Sequence, residues 1–200
     1  FRGEPLGEAI LNVPGRFNVA NALAAIAVAR ELDLPFDAIR EGLAAFAGVH
    51  RRLEIKGKAG GVTVVDDYGH HPTEIRETQA AARQVWKGRT IVVFHPHRFT
   101  RTQKLYDEFL DSFPDADHLI VTDIYAASEK PIEGVSAAAL CDGIRARGQR
   151  DVVYLSGFDR ITDHLLTVAK PSDVIITQGA GNVWKIGEDY LRRAGEADRP

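Results

Sequence analysis

The sequence predicts an α/β fold, a Rossmann-like, mostly parallel sheet with flanking helices, preceded by a mainly helical segment. Two observations lead to this prediction. From His50 onward, short apolar runs alternate with helical windows, which is the pattern of a parallel sheet with crossover helices. Four of the five apolar runs are followed at once by polar loops, and ligands bind where the strands of such a sheet end.

The predicted strands are short and apolar, and they lie at residues 62–65, 90–94, 118–122, 151–155 and 174–177. The predicted helices are longer windows that follow these strands, at residues 73–86, 102–113, 136–146, 158–168 and 183–193. No internal repeat or low-complexity tract interrupts this order. This part of the chain is therefore expected to form one doubly wound domain of ordinary size.

Residues 1–48 follow a different pattern. A short apolar stretch at residues 6–13 predicts a strand, Pro14-Gly15 ends it, and helical windows follow at residues 18–32 and 36–46. Because so short a segment is too small to be a domain by itself, we expect it to be the C-terminal remnant of an upstream domain. The chain contains no methionine and starts with Phe1, so we expect a fragment of a longer protein.

The composition argues against several classes of function. Lys and Arg number 25, Asp and Glu number 28, and the net charge is -3, so no long-range positive field would attract nucleic acid or an anionic membrane. The single cysteine, Cys141, cannot form an intrachain disulfide, and the sequence shows neither a leader peptide nor an apolar run of transmembrane length. We expect a cytoplasmic protein that binds neither nucleic acid nor a membrane.

The loop after the first predicted strand is the densest in titratable groups. It carries two carboxylates, a phenol and two imidazoles within six residues, namely Asp66, Asp67, Tyr68, His70 and His71. So many such groups after a buried strand indicate a site. The alternative is that Asp67 caps the following turn and one histidine satisfies backbone groups. For His71, which precedes Pro72, the alternative is that it shapes only the start of the next helix.

The loop after the second predicted strand carries positive charges that could bind an anion. Arg98 and Arg101 lie three residues apart around the start of a helix, with His97 beside them. Guanidinium groups form bidentate hydrogen bonds with carboxylates and phosphates, so we predict that these arginines bind an anion. The alternative is a pair of solvated surface arginines. His95 is expected to face the core and is left out of the site.

Two further patterns give weaker signals. Gly179-Ala180-Gly181 follows a strand and opens a helix, so its backbone could approach a ligand or merely form the turn into the helix. The third glycine of a dinucleotide fingerprint is missing and no GxxxxGK[ST] motif occurs, so the chain has no P-loop.

A metal site is an alternative reading of the two polar loops. The candidate ligands are Asp66, Asp67, His70, His71, His95 and His97. Their spacing matches no zinc-finger or HExxH pattern, and the nearby arginines would disfavour a bound cation.

Four stretches together resemble the Mur ligases: GRFNVANALAA at residues 15–25, RRLE at 51–54, DDYGHHPTEI at 66–75 and PHRFTRT at 96–102. The resemblance implies a three-domain enzyme, of which residues 1–48 would be the C-terminal remnant of the central ATP-binding domain. Residues 49–200 would be the C-terminal, amino-acid-binding domain. It further implies a reaction that uses ATP and Mg²⁺ and joins L-alanine to UDP-N-acetylmuramate through an acyl phosphate, in peptidoglycan precursor synthesis.

The resemblance also assigns roles to residues. It implies that the nucleotide is bound by Asn18 and Asn21, at the adenine, and by Arg52 and Asp67, at the phosphate and ribose. It implies that L-alanine and the reacting carboxyl group are surrounded by Tyr68, His70, His97, Arg98 and Arg101, of which His70, His97 and Arg98 are the catalytic candidates. Phe17 and Asn182 depart from the residues common in the family. The P-loop, the principal Mg²⁺ ligands and the UDP-sugar site would lie upstream, so we expect the 200 residues alone to be inactive.

Two other functions are compatible with the residues. One is a noncatalytic module that binds a nucleotide or amino acid, and the other is a metal-dependent hydrolase built on the Asp and His loops.

Overall fold

The structure is a computed structural model that describes residues 1–197. The chain divides into two compact units, Phe1–His50 and the part that begins at Arg51.

The first unit is helical. Helix α1 spans Arg16–Glu31 and helix α2 spans Phe36–Ala45. Gly15 precedes α1 with a φ of 100°, a conformation that glycine adopts without steric cost. The expected strand at residues 6–13 is wrong, because this segment has no regular secondary structure. The described part of the unit contains only helices, and a lone strand would leave its backbone groups without partners.

The second unit is built on a six-stranded sheet, as the predicted fold class requires. The strands are β1 Glu54–Ala59, β2 Val62–Asp67, β3 Thr90–Phe94, β4 His118–Val121, β5 Val152–Tyr154 and β6 Val174–Gln178. Their order in the sheet is β1-β2-β6-β3-β4-β5, and only β1 pairs antiparallel to its neighbour. The prediction of an α/β fold with a mostly parallel sheet and flanking helices is confirmed.

Strand β1 is the one strand that the sequence analysis missed. Its sequence, EIKGKA, is polar and its side chains are half-buried or exposed, so it lacks the apolar run that marks the other strands. The signal was the Gly60-Gly61 pair, whose positive φ values of 57° and 75° form the two-residue turn into β2. Such a turn between two short runs predicts a hairpin.

The helices of this unit lie between and after the strands, and they are α3 Pro72–Val85, α4 Phe99–Lys104, α5 Tyr106–Leu110, α6 Ala137–Ala146, α7 Phe158–Val168 and α8 Trp184–Ala197. The single helix expected at residues 102–113 is wrong, since the segment forms two short helices that meet at Leu105. The hydroxyl of Thr102 donates to the carbonyl of Arg98 at 2.9 Å, a side-chain bond that competes with regular helix geometry.

The two faces of the sheet are both buried. One face packs against α7 and α8 through fully buried side chains, among them Val64, Ile120 and Ile161. On the opposite face, the ring of Phe94 lies 5.6 Å from that of Phe109 and 5.1 Å from that of Phe113. Burial on both faces fixes the strands and therefore the level at which each strand ends. Over the described residues, no helix has the length and apolarity that crossing a membrane requires.

Two glycines of α8 provide a matched test of the packing between this helix and the sheet. A Cβ on Gly187 would lie 2.8 Å from Val64 Cγ1, whereas a Cβ on Gly195 would meet nothing within 4 Å. We expect Gly187→Ala to lower the free energy of unfolding by about 1–3 kcal/mol through overpacking. Gly195→Ala should raise it by about 0.5 kcal/mol through helix propensity. Denaturant unfolding of the chain measures both, and a stable Gly187→Ala variant would contradict the described packing.

Candidate functional site at the carboxyl edge of the sheet

Backbone hydrogen bonds join the loops that leave the carboxyl ends of four parallel strands. The amide of His95, after β3, donates to the carbonyl of Gln178 in β6 at 2.9 Å. The amide of Gly179 donates to the carbonyl of Asp67 in β2 at 3.0 Å, and the amide of Arg98 donates to the carbonyl of Tyr125 at 2.8 Å. The polar loops after β2, β3, β4 and β6 therefore meet at one edge, as the sequence predicted.

Asp67 organises the loop after β2 from beneath. Asp67 is 2% exposed. Its carboxylate accepts hydrogen bonds from Leu53 N at 2.9 Å, Gly69 N at 2.7 Å and Thr78 Oγ1 at 3.0 Å. A Cβ on Gly69 would lie 2.6 Å from Asp67 Oδ1, so this close approach needs glycine. The bond to Gly69 is the turn cap weighed as an alternative in the sequence analysis.

Arg51 fixes the neighbouring carboxylate and the glycine loop together. Its Nε donates to Asp66 Oδ2 at 2.8 Å and its Nη2 donates to the carbonyl of Gly179 at 2.7 Å. Burial raises the pKa of Asp66, although hydrogen bonds from Arg51 and Thr177 oppose that rise. No role of Arg51 was predicted from the sequence. The only signal was its position in the RRLE stretch, beside Arg52.

Arg52 is more exposed than its neighbour and lies beside the aromatic ring of the loop. Its guanidinium carbon lies 5.7 Å from the centre of the Tyr68 ring, and its Nη1 lies 3.5 Å from Glu74 Oε1. The side chain is 45% exposed. Arg52 thus presents a positive charge at the rim of the loop after β2.

His71 forms the N-cap of α3. Its Nδ1 accepts a hydrogen bond from Thr73 N at 3.4 Å, while Glu74 Oε2 accepts one from His71 N at 3.2 Å. The interpretation that His71 shapes the start of the helix is the one that the structure bears out. Burial would raise the pKa of Glu74, but hydrogen bonds from the backbone of His70 and His71 outweigh it and keep that pKa below its ordinary value.

His70 and His97 face each other with opposite hydrogen-bonding roles. Their ring centres lie 5.6 Å apart. His70 Nδ1 lies 3.1 Å from the carbonyl oxygen of Tyr68, which can only accept, so this nitrogen carries the hydrogen. His97 Nδ1 lies 2.9 Å from Arg101 Nη1, which can only donate, so this nitrogen carries the lone pair. In the neutral rings, His70 therefore presents a lone pair at Nε2 and His97 presents an N–H at Nε2.

The surroundings keep His97 neutral. Burial, together with the charges of Arg101, His70 and Arg98, lowers its pKa to about 4. The ring also stacks on that of Tyr125, with centres 5.6 Å apart and planes within 14°. His97 is therefore a rigid, neutral hydrogen-bond donor at physiological pH.

Arg98 starts α4 with a φ of 71° and is half exposed, and its Nη1 lies 3.9 Å from Glu129 Oε1. Glu129 also accepts hydrogen bonds from the amide of Thr100 at 3.0 Å and from its hydroxyl at 2.6 Å. These bonds hold the pKa of Glu129 below its ordinary value. Sequence reasoning missed Glu129, because nothing in the local sequence indicates a contact across about thirty residues. The two arginines thus have different partners: Arg98 lies near the carboxylate of Glu129, and Arg101 is hydrogen-bonded to His97.

His95 and the glycines after β6 form the packed base of this edge. His95 is 4% exposed, which confirms the expectation that it faces the core, and burial lowers its pKa to about 4. A Cβ on Gly179 would lie 2.6 Å from the His95 carbonyl oxygen, and a Cβ on Gly181 would lie 3.0 Å from the His95 ring. Gly179 is required by this close packing, because the contact is with backbone, whereas a Cβ on Gly181 would force the neighbouring rings to shift slightly. Asn182 contributes its carbonyl, which accepts from Lys185 N at 3.1 Å.

The candidate nucleotide residues of the first unit lie on α1. Asn18 Nδ2 donates to the carbonyl of Pro14 at 2.7 Å, which ties the start of the helix to the preceding turn. Asn21, three residues further on, is exposed. The ring of Phe17 lies against Gly15, where a Cβ would be 2.6 Å from Phe17 Cε1.

The six candidate metal ligands do not gather into a metal site. Within residues 1–197, no three His, Cys, Asp or Glu side chains are placed to hold a metal ion. The carboxylates of Asp66 and Asp67 accept hydrogen bonds from other groups of the protein. His71 caps α3, and His95 packs against Tyr125 and Phe158.

Comparison with known proteins identifies the family. The family model "Mur ligase, glutamate ligase domain" matches residues 51–181. The chain belongs to the Mur ligase family. It is 62% identical over 198 residues to a UDP-N-acetylmuramate--L-alanine ligase of Syntrophus aciditrophicus, covering 99% of this chain and 41% of that protein. It is 54% identical over 198 residues to the protein of the same name from Geobacter sulfurreducens, covering 98% of this chain and 43% of that protein.

Solved structures of Mur ligases have the same fold. A crystal structure of a UDP-N-acetylmuramate-alanine ligase from Thermotoga maritima superposes with a TM-score of 0.82 at 27% identity. The superposition covers 98% of this chain and 42% of that one. The chain thus spans less than half the length of the curated Mur ligases that it matches.

The lowered pKa values of the buried His95 and the half-buried His97 predict a pH dependence of the stability of this Mur ligase chain. Folding lowers the pKa of His95 and His97 from 6.5 to about 4, so the unfolded chain takes up protons first as the pH falls. The stabilisation is complete above pH 6.5 and is lost between pH 6.5 and about 4. NMR titration of the ring signals, assigned with His95→Gln and His97→Gln variants, should show both rings neutral at pH 5.5. A midpoint near 6.5 for either ring would contradict the described burial.

Proposed function

We propose that this chain is the C-terminal part of an ATP-dependent ligase that joins L-alanine to UDP-N-acetylmuramate. The observation that carries the proposal is the pairing of Arg101 with a neutral His97, opposite His70 and beside Arg98. The names of the relatives support the same substrates. Peptidoglycan precursor synthesis in the cytoplasm, where ATP is available, is the proposed setting.

The amino-acid carboxylate would be bound by the two arginines. A guanidinium binds a carboxylate through bidentate, charge-assisted hydrogen bonds. Arg101 is already oriented by His97 Nδ1 at 2.9 Å, so less side-chain freedom is lost on binding. Tyr68, whose ring lies 5.3 Å from that of His70, would close the side of the pocket against the small side chain of alanine.

Amide formation requires that a proton leave the amine as its nitrogen attacks the acyl carbon. In the proposed step, the new C–N bond forms, the bond from carbon to the phosphate oxygen breaks, and phosphate leaves. His70 Nε2, with its lone pair, would accept the amine proton, while Tyr68 O and Glu74 hold the opposite nitrogen at 3.1 and 3.7 Å. His97 Nε2–H and Arg98 would donate to the negative oxygens that develop.

For the nucleotide, the proposed residues are those that the family resemblance implies. Asn18 and Asn21 would contact the adenine, and Arg52 would contribute positive charge toward the phosphates. Asp67 is proposed to act on the ribose side chiefly by holding the loop that carries Tyr68, since its oxygens are already bonded by Leu53, Gly69 and Thr78.

Magnesium, when bound, supplies charge neutralisation at the phosphates. The carboxylates of this edge do not fit a magnesium site, because Asp66, Asp67 and Glu74 are engaged by donors of their own chain. The metal ligands are proposed to lie in an upstream domain.

Residues 1–48 are proposed to end that central ATP-binding domain, and residues 49–200 to form the C-terminal domain that admits the amino acid. An exposed apolar stripe on α1 supports this division, because Val19 and Leu23 lie four residues apart on one helix face and are both more than half exposed. A helix of a completed domain usually buries such a stripe. The upstream domains and UDP-N-acetylmuramate would then be the partners of this chain.

Removing Arg101 tests the amino-acid site. In the full-length ligase, Arg101→Ala should raise the KM for L-alanine roughly 10- to 100-fold, since a charged hydrogen bond contributes about 1.5–3 kcal/mol. The KM for ATP should stay within about threefold. Arg147→Ala is the matched control, because Arg147 pairs with Asp111 at 2.8 Å on the surface, away from the polar loops. Steady-state assays with varied L-alanine provide the measurement. Equal KM values for the Arg101→Ala and Arg147→Ala enzymes would refute the assignment.

A further inference from the structure

The last residue of β6, Gln178, is a buried amide without partners. The residue is 0% exposed, and within the described structure neither Nε2 nor Oε1 has a hydrogen-bond partner. A buried amide group that makes no hydrogen bond destabilises the folded state. The local sequence gives no signal for this residue, because a glutamine at the end of a strand is common.

Gln178 lies at the junction of the two loops that carry the candidate site. In the parallel register it is paired with Asp67 of β2 on one side and Phe94 of β3 on the other. Its carbonyl accepts the bond from His95 N at 2.9 Å. Its backbone thus fixes the level from which the loops containing His70 and His97 depart.

The side-chain amide lies directly beneath the loop after β2. A Cβ on Gly69 would be 3.2 Å from Gln178 Nε2 and 2.6 Å from Asp67 Oδ1. The backbone between Tyr68 and His70 therefore covers the amide. A small movement of this loop would bring its peptide groups, or a ligand drawn in with them, within hydrogen-bond distance.

We infer that Gln178 is a positioning residue for the amino acid, because its amide obtains hydrogen-bond partners only when the amino acid draws the Tyr68–His70 loop onto it. This inference rests on the function proposed above and deepens it. The amide acts through the loop, so its hydrogen bonds stabilise the bound state and not the free one. Binding of the amino acid is then favoured at the expense of stability of the free protein.

An apolar isostere separates this role from a structural one. Gln178→Met in the full-length ligase removes the amide and keeps the length of the side chain. The KM for L-alanine should rise about tenfold, which corresponds to the loss of one or two neutral hydrogen bonds. The kcat and the KM for ATP should stay within about threefold, and the thermal midpoint should stay equal or rise, because the free protein loses an unpartnered group.

Gln79→Met is the matched control. Gln79 is also a fully buried glutamine, but its Nε2 donates to the carbonyl of Ser112 at 3.2 Å in the free structure. Its replacement should lower the thermal midpoint and leave the KM for L-alanine unchanged. If Gln178→Met fails to fold, Gln178→Leu, which also removes the amide without adding a charge, is measured in its place with the same expected rise in KM.

The outcomes separate the two proposals. An alanine KM that changes less than threefold in the folded Gln178 variant would overturn the positioning role, whatever happens to stability. A parallel change in the KM values for ATP and L-alanine would overturn it as well, because that is the mark of a general structural defect. A wild-type ligase that forms no product with L-alanine would overturn the proposed function instead.

Discussion

The site depends on the alignment of the carboxyl ends of β2, β6 and β3. Parallel pairing places Asp67, Gln178 and Phe94 at one level, and the loops leave the sheet from there. Asp67 and Arg51 then secure the loops: the Asp67 carboxylate binds Leu53, Gly69 and Thr78, and the Arg51 guanidinium joins Asp66 to Gly179. Since these groups are buried or half-buried, their bonds are less screened than those of surface ion pairs.

Because Asp67 and Arg51 secure the loops, the histidines and arginines of the site are held at fixed positions. His97 is held neutral between Arg101 and Tyr125, and His70 is held by Tyr68 and Glu74. The hydrogen-bond partners of their Nδ1 atoms leave one ring with a lone pair and the other with an N–H. A nucleophilic attack by an amine on an acyl group needs both kinds of group, one for the proton and one for the developing negative charge.

Sequence reasoning predicted the parts of this arrangement that follow from local patterns. Apolar runs and helical windows predicted the sheet and most helices, and the rule that ligands bind at strand ends brought the polar loops together. It missed what depends on distant contacts. Strand β1 is polar because it is the outer strand of a hairpin, and its place in the sheet comes from pairing with β2. The contact of Glu129 with Thr100 and Arg98 links segments far apart in the chain.

Residue type alone also could not distinguish supporting groups from those that reach a ligand. Asp67, His71 and His97 all lie in the two polar loops, yet the first accepts hydrogen bonds from three buried or half-buried donors, the second caps α3 and the third faces His70 across the site. Burial and hydrogen-bond partners make this distinction, and both are properties of the folded chain.

The most direct test of the account is phosphate release by the full-length ligase with ATP, Mg²⁺ and UDP-N-acetylmuramate, measured with and without L-alanine. We expect release that depends on L-alanine, together with formation of the amide product. Release that is absent, or that is the same without L-alanine, from a folded full-length protein would contradict it.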